Sequence, residues 1–197
     1  MKKLLRRQSF LVCFGFLVST NVYSQRPVNA GGYNVFENYL QPGRDVNLGQ
    51  VSGLAIDKND NLYVLHRAGR VWDLETREPL ASPVVLKFSD KGKLIGSLGG
   101  GMFTLPHMIE VDPSGNIWIV DVSMQQLFKL APDGKLLLQL GEKFVTGDDS
   151  AHFNLPTDVS VLNDGFFYLS DGYRNSRVIK YSKEGKYLFQ WGEKGDR

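Results

Sequence analysis

The clearest structural signal in the sequence is the stretch MIEVDPSGNIWIVDV, residues 108–122. Apolar and polar residues alternate on both sides of the group DPSGN, and this pattern predicts a strand, a tight turn and a second strand. The same arrangement occurs in GLAIDKNDNLYVLHR, residues 53–67, and in DVSVLNDGFFYLSDG, residues 158–172. Three stretches in register with matching turns indicate an internal repeat.

Each of these hairpins is followed by a second one, whose turn contains glycine. The three second hairpins are KFSDKGKLIGSLG, KLAPDGKLLLQLG and KYSKEGKYLFQWG, which begin at residues 87, 129 and 180. The two glycines of the repeat lie seven positions apart in every copy. Four short antiparallel strands that recur about every 40 to 55 residues are typical of β-propeller blades. The sequence therefore predicts an all-β protein with three propeller blades in residues 51–197.

Residues 1–24 have the features of a secretory signal peptide. The segment begins with the basic residues Lys2, Lys3, Arg6 and Arg7, continues with an apolar run over residues 10–18, and ends with Val22 and Ser24 near a cleavage position. The apolar run is about half the length that a bilayer requires, so no stable membrane span is expected. An uncleaved anchor is the alternative. The segment predicts a secreted or extracytoplasmic protein, in the lumen of the secretory pathway or in the periplasm.

Composition gives no sign of a nucleic-acid partner and excludes a disulfide in the mature chain. Removal of the four basic residues with the signal peptide changes the formal charge of the chain from +2 to −2, so no nucleic-acid binding is expected. Cys13 is the only cysteine of the sequence and lies in the apolar run, which leaves the mature chain without a disulfide. Residues 25–50 form a lead-in to the blades; they are a candidate to close or cap the ring, and the sequence assigns them no structure.

The reversal of the chain at each turn sorts the loops of the blades by face. The entry to the first strand of a blade and the turn between its second and third strands lie on one face. Arg67, His107 and Tyr173 are therefore expected to share a face of the molecule.

Aligned blades place Ser52, His107 and Thr157 immediately before the first strand, which is the strand nearest the propeller axis. A histidine occurs there only in the second blade, and His66 and His152 occupy other positions. Zinc requires ligands that converge on one point, so this distribution argues against a three-histidine zinc site built from this chain alone.

Three stretches of the chain resemble consecutive blades of the peptidyl-α-hydroxyglycine α-amidating lyases. They are VSGLAIDKNDNLYVLHRAGRVWD, LPHMIEVDPSGNIWIVDVSMQQLFKL and LPTDVSVLNDGFFYLSDGYRNSRVIKYSKEGKYLFQWGE, and the resemblance as a whole extends from about residue 50 to residue 197. The most specific motifs of this resemblance are HR with VWD, LPH and DGYRNSR, in that order. The resemblance implies a six-bladed propeller of NHL-type repeats and a lyase that cleaves a peptide substrate ending in α-hydroxyglycine to a peptide amide and glyoxylate.

The resemblance also implies site residues and cofactors. His107 matches the first of three histidines that hold a catalytic zinc, Tyr173 matches the proposed catalytic base, and Arg67 matches an active-site arginine. Leu54 and Ile109 match positions whose backbone carbonyls bind a structural calcium. The residue types suit these roles, since zinc polarises a hydroxyl, a nearby cation helps a phenol to give up its proton, and arginine grips a carboxylate. The alternatives are that Tyr173 is a turn aromatic and that Arg67 is a surface ion-pair partner.

The extent of the resemblance raises further expectations. In the family, the other two zinc histidines lie in later blades, and a ring of six such blades needs roughly 250 to 300 residues. The chain is therefore expected to be the N-terminal part of a longer protein or a truncated copy, with self-association of two half-rings as the less favoured alternative. In each case the 197 residues are not expected to catalyse the reaction alone.

Two further expectations concern partners and function. The chain has no counterpart of the copper monooxygenase that makes the lyase's substrate in bifunctional animal enzymes, so a peptidylglycine monooxygenase is a candidate partner upstream. The alternative class of function is a non-catalytic module, in which the same NHL-type blades bind a protein or a glycan, because a fold does not determine a function.

Overall fold

The computed structural model of the protein describes residues 36–43, 46 and 48–195. The predicted signal peptide, residues 1–24, lies outside the described residues, as do residues 25–35 of the predicted lead-in. All of the strands among these described residues lie in the compact unit Asn38–Arg197. In the described part of the chain, no helix is long and apolar enough to cross a membrane.

Within the described residues, twelve strands form three antiparallel sheets of four strands each, and in every sheet the strands follow one another in chain order. The first sheet contains β1 (Val51–Ile56), β2 (Leu62–His66), β3 (Val85–Phe88) and β4 (Leu94–Leu98). The second contains β5 (Pro106–Val111), β6 (Ile117–Asp121), β7 (Gln126–Leu130) and β8 (Leu136–Leu140). The third contains β9 (Asp158–Val161), β10 (Phe167–Asp171), β11 (Arg177–Tyr181) and β12 (Tyr187–Trp191). The prediction of an all-β protein with three four-stranded blades is confirmed.

Aspartate side chains close the first hairpins of the first two sheets. The carboxylate of Asp57 accepts a hydrogen bond from the backbone N–H of Asn61 at 3.0 Å, and Asp112 accepts one from the N–H of Asn116 at 2.9 Å. Such bonds let an aspartate stabilise a turn in its own backbone. The sequence groups DKNDN and DPSGN are therefore turns for a local chemical reason.

The second hairpins require glycine at both repeated positions. All six glycines have a positive φ, between 73° and 97°; they are Gly92, Gly99, Gly134, Gly141, Gly185 and Gly192. Only glycine adopts this backbone conformation at low cost. At Gly141 a Cβ atom would also lie 2.2 Å from the carbonyl oxygen of Gln125, so this position excludes a side chain.

Apolar side chains fill the two spaces between neighbouring sheets, and the second sheet contributes to both. The cluster between the first and second sheets includes Leu65, Val85, Ile109, Ile117 and Phe128. The cluster between the second and third sheets includes Trp118, Leu127, Val159, Phe167 and Ile179. Burial of each large apolar side chain stabilises the fold by about 1.5–3 kcal/mol. These clusters hold the three sheets face to face.

The outer face of the first sheet is covered by the described part of the lead-in. Leu40, Val46 and Leu48 pack against a buried cluster of the sheet formed by Val64, Leu86 and Phe88. A bridge between Gln41 and Lys93 ties the same segment to the start of β4. The last strand of the third sheet, β12, instead leaves Leu188, Phe189 and Trp191 between 40% and 50% exposed.

The first strands of the first two sheets each contain a bulge. The register of β1 with β2 shifts between Val51 and Gly53, and that of β5 with β6 shifts between Pro106 and Met108. Ser52 and His107 are the extra residues. The expectation that His107 lies before its strand is therefore wrong, because β5 begins one residue earlier at Pro106. A bulge leaves its extra residue out of the ladder and re-aims its side chain.

Candidate active site

His107, in the second blade, contacts the third blade through both of its ring nitrogens. Its Nδ1 lies 2.9 Å from the carbonyl oxygen of Thr157, and its Nε2 lies 3.0 Å from the hydroxyl of Tyr173. A carbonyl oxygen only accepts hydrogen bonds, so Nδ1 carries the hydrogen and Nε2 is the unprotonated nitrogen. Tyr173 therefore donates its O–H to the lone pair of His107 Nε2.

The environment of His107 favours the neutral ring. Burial lowers the pKa of His107 below its ordinary value, and the positive charge of Arg67 lowers it further. The carbonyl of Thr157 and the charge of Asp158 oppose these effects. The net lowering keeps Nε2 available as an acceptor or a ligand at neutral pH.

Arg67 follows directly after β2 and is only 9% exposed. Its Nε donates to the carbonyl oxygen of Pro106 at 3.2 Å, and its Nη1 donates to the side-chain oxygen of Gln50 at 3.3 Å. Among the described residues, Nη2 has no hydrogen-bond partner and no carboxylate forms an ion pair with Arg67. Burial lowers the pKa of Arg67, and the hydroxyl of Tyr173 and the carboxylate of Asp121 oppose this effect.

Asp121 is the acidic neighbour of Arg67, but its oxygens are already bound. Asp121 is fully buried and accepts hydrogen bonds from the backbone N–H groups of Thr104, Leu105 and Met124, at distances between 2.7 and 3.0 Å. The guanidinium of Arg67 is therefore a buried cation, and the nearby carboxylate of Asp121 is already occupied by hydrogen bonds to the backbone. Such a group is a candidate anion site.

Trp72 completes the site and was assigned no role from the sequence. Its ring lies edge-on to the rings of His107 and Tyr173, with centroids 6.0 Å and 6.1 Å apart, and Arg67 Cζ lies 5.2 Å from its centroid. The triplet VWD appeared in the sequence only as part of a motif. The sequence did contain a signal for Trp72: it is a large aromatic residue in the same loop as Arg67, on the face that was predicted to carry the site residues.

The described residues do not form a metal site of their own. They contain no group of three histidine, cysteine or acidic side chains arranged to hold an ion. His66 is 2% exposed and uses Nδ1 to accept the N–H of Ala68, while His152 bonds to Asp149 and Glu142 in another loop. Among the described residues, His107 is thus the one histidine at the site, and the lone pair of its Nε2 accepts the hydrogen of Tyr173.

Leu54 and Ile109 occupy equivalent places in the inner strands of the first two sheets. Leu54 lies in β1 opposite Val64 and is 61% exposed, whereas Ile109 lies in β5 opposite Ile119 and is buried. The two strands are neighbours, since a Cβ on Gly53 would lie 3.1 Å from the backbone nitrogen of Ile109. Calcium binding by their carbonyl oxygens stays a prediction.

Comparisons with known sequences give one repeat model and a set of relatives. The NHL repeat model matches residues 153–181. A probable peptidyl-alpha-hydroxyglycine alpha-amidating lyase of Caenorhabditis elegans is 36% identical over 84% of this chain and 52% of that protein. Peptidyl-alpha-hydroxyglycine alpha-amidating lyase 1 of Drosophila melanogaster is 37% identical over 81% of this chain and 32% of that protein. Peptidyl-glycine alpha-amidating monooxygenase of Mus musculus is 38% identical over 85% of this chain and 19% of that protein.

These relatives are all longer than the region that they share with this chain. The chain spans about half the length of the Caenorhabditis relative and less of the other two. The match nevertheless covers more than four-fifths of this chain and fits the resemblance seen in the sequence motifs.

Solved structures with a similar fold are more distant in sequence. A streptogramin B lyase structure has a TM-score of 0.52 and 13% identity, covering 80% of this chain and 44% of that chain. The nidogen/laminin complex gives a TM-score of 0.52 and 19% identity, covering 73% of this chain and 50% of that chain. At this identity the likeness describes the fold alone.

Proposed function

We propose, from the homology of this chain to peptidyl-α-hydroxyglycine α-amidating lyases, that Arg67, His107 and Tyr173 belong to the active site of a lyase that makes a peptide amide and glyoxylate. The observation that carries the proposal is the buried guanidinium of Arg67, which has no carboxylate partner among the described residues and lies beside the Tyr173–His107 pair. A buried cation is costly without an opposite charge. The carboxylate of a hydroxyglycine supplies that charge.

The proposed reaction breaks the bond between the hydroxyglycine carbon and the amide nitrogen. The hydroxyl oxygen loses its proton and becomes the aldehyde oxygen of glyoxylate, and the amide nitrogen gains a proton. The carbon–nitrogen electron pair leaves with the nitrogen, so the reaction needs no oxidant or reductant. The peptide amide and glyoxylate account for all atoms of the substrate.

The three side chains have distinct parts in this proposal. Arg67 binds the terminal carboxylate with the donors that the protein leaves free. Tyr173 moves the proton from the substrate hydroxyl toward the leaving nitrogen. In the structure the phenolic O–H of Tyr173 donates to His107 Nε2 at 3.0 Å, a contact that holds the hydroxyl in place. The charge of Arg67 favours the phenolate, which accepts the proton of the substrate hydroxyl.

The proposal extends to metal ions. His107 would be a zinc ligand through Nε2, whose lone pair would then bind the ion in place of the hydrogen of Tyr173. The other ligands would come from outside the described residues, because these supply a single suitable imidazole. When bound, zinc would polarise the substrate hydroxyl as a Lewis acid. The carbonyl oxygens of Leu54 and Ile109 would hold a structural calcium.

The proposal also covers the protein as a whole. Secretion would follow from residues 1–24, and a peptidylglycine monooxygenase would supply the hydroxylated substrate. We expect the 197-residue chain alone to bind the substrate carboxylate without releasing glyoxylate, since the described part lacks a complete zinc site.

Carboxylate binding is the test for this chain. Calorimetry with N-benzoylglycine and with its neutral amide is expected to show tighter binding of the carboxylate, by about tenfold or more. Arg67→Gln should abolish this preference, whereas Tyr173→Phe should retain it. Equal binding of acid and amide by the native chain would contradict the proposal.

Turnover is the test for a protein that carries these blades in a complete ring. With zinc present, Tyr173→Phe is expected to lower kcat for glyoxylate release by about 100-fold or more, and Arg67→Gln to act mainly on KM. Folded, zinc-loaded protein that binds the peptide and releases no glyoxylate would support the binding-module alternative instead.

A further inference from the structure

Trp72 lies against all three residues of the proposed site. Its indole covers the guanidinium of Arg67 at 5.2 Å and touches the rings of His107 and Tyr173 edge-on. The indole is 43% exposed and belongs to none of the three apolar clusters of the fold. Its contacts are therefore with the site rather than with the core.

The loop that carries Trp72 is shaped to bring the indole back over Arg67. Ala68 and Gly69 both have a positive φ, 45° and 87°, which turns the chain sharply after β2. Arg70 then fastens the loop, because its Nη1 donates to the carbonyl oxygens of Glu78 and Thr104 at 2.7 and 2.9 Å. The placement of Trp72 is thus built into the loop.

We propose that Trp72 is a positioning residue that holds and shields the guanidinium of Arg67 and so determines how tightly the site binds the carboxylate end of its substrate. The inference rests on the proposed function. It assigns to Trp72 no contact with the reacting atoms.

Two physical effects give Trp72 this role. The hydrogen bonds of Arg67 to Pro106 and Gln50 use Nε and Nη1. The indole, with its centroid 5.2 Å from Cζ, limits how far the guanidinium can swing about these bonds. The indole also keeps water from one face of the cation, which lowers the local dielectric and strengthens its attraction to an anion. A smaller side chain would leave the charge in place but mobile and hydrated.

The experiment measures the dissociation constants of N-benzoylglycine and of its neutral amide for a set of variants. Trp72→Leu is expected to weaken carboxylate binding about fivefold or more while leaving amide binding unchanged, and Trp72→Phe to stay within about twofold of the native chain. Trp191→Leu is the matched control, because Trp191 is 49% exposed and packs on Tyr168 and Phe189 in the third sheet. Thermal unfolding of each variant verifies that it is folded.

A double variant shows whether Trp72→Leu weakens carboxylate binding through Arg67 or through a general change in the site. If Trp72 acts through the guanidinium, Trp72→Leu should have no further effect on carboxylate binding in the Arg67→Gln background. Additive losses would overturn the inference, as would native carboxylate affinity in folded Trp72→Leu.

Failure of the proposed function has a different signature. In that case the native chain itself would bind the acid and the amide equally, before any substitution at Trp72. A native preference for the acid that survives Trp72→Leu would overturn the role of Trp72 alone.

Discussion

At the residue scale, the last residue of the second strand accepts backbone N–H hydrogen bonds in each sheet, but the accepting group is a carboxylate in two sheets and an imidazole in the other. Asp121 and Asp171 use carboxylates to accept backbone N–H groups from the segment that enters their blade. His66 uses the lone pair of Nδ1, which accepts from Gly49 at 3.3 Å and from Ala68 at 3.1 Å. An imidazole replaces a carboxylate here only while it is neutral, because protonation converts Nδ1 from acceptor to donor.

The stability of the protein should therefore depend on the protonation of His66. Burial lowers the pKa of His66, with partial opposition from the carbonyl of Pro83. As the pH falls below about 6.5, the ordinary pKa of histidine, the unfolded chain takes up the proton before the folded chain does. The free energy of unfolding is then expected to fall as the pH falls through the folded pKa, and to be fully retained above pH 6.5.

Urea unfolding between pH 5 and 7.5 measures this loss against a control variant. His66→Asn keeps an acceptor oxygen that does not titrate, and His107 and His152 are common to both proteins. The loss at low pH should be smaller in His66→Asn. Parallel pH profiles for the two proteins would rule out His66 as the source.

At the element scale, the loop between β8 and β9 is fastened by one side chain of the third sheet. Arg177 is 4% exposed; its Nε donates to Asp171 at 3.0 Å, and its terminal nitrogens donate to the carbonyl oxygens of Asp148 and His152. The loop ends at Thr157, whose carbonyl orients His107. Arg177 thus supports the site from outside it.

Arg177→Met is expected to lower the free energy of unfolding by about 3 kcal/mol or more, because it leaves the buried carboxylate of Asp171 without its cation. Lys183→Met is the control: the side chains of Lys183 and Glu184 are each two-thirds exposed and their charged atoms lie 3.8 Å apart, so this ion pair should contribute little to stability. Urea unfolding of both variants at pH 7 gives the comparison. Equal, small losses would show that the buried pair contributes no more than a surface pair.

The elements that the sequence predicted are those with local causes. Each hairpin depends on alternation and on turn residues within a few positions, so the order of the strands and the glycine pairs could be read in advance. The bulge at His107 and the course of residues 67–84 could not, because they depend on distant contacts. Arg70 reaches Thr104, and Leu80 of that loop is buried in the cluster between the first two sheets.

The same distinction applies to the site. The shared face of Arg67, His107 and Tyr173 followed from the repeat, whereas the hydrogen bond between the last two depends on side-chain orientations set by the bulge and by Thr157. Trp72 was missed because its loop has no counterpart of equal length in the other two blades.

At the scale of the whole molecule, the two outer faces of the described sheets differ. The first is sealed by the lead-in, which buries Phe88 completely, while β12 leaves Phe189 50% exposed beside Lys180, whose Nζ lies 5.7 Å from its ring. Both phenylalanines lie in strands of the outer half of a blade. Their contributions to stability should differ because of what covers them.

Phe88→Ala is expected to lower the free energy of unfolding by about 3–5 kcal/mol, since it empties a fully buried volume. Phe189→Ala should lower the free energy of unfolding by less than about 1 kcal/mol, because half of the surface of Phe189 is exposed to water. Urea unfolding of the two variants tests the difference. A large loss for Phe189→Ala would mean that its face is covered in solution.

The ring triangle of Trp72, His107 and Tyr173 takes one residue from each of the three blades. Identical blades would still form a propeller, but they would not form this triangle. Each of its three residues either lies at a different position of the repeat from the others or is replaced by another residue type at the same position of the other blades. Architecture here comes from what successive copies of the motif share, and chemistry from where they have diverged. Substitutions that restore symmetry between blades should therefore preserve the scaffold while erasing the site.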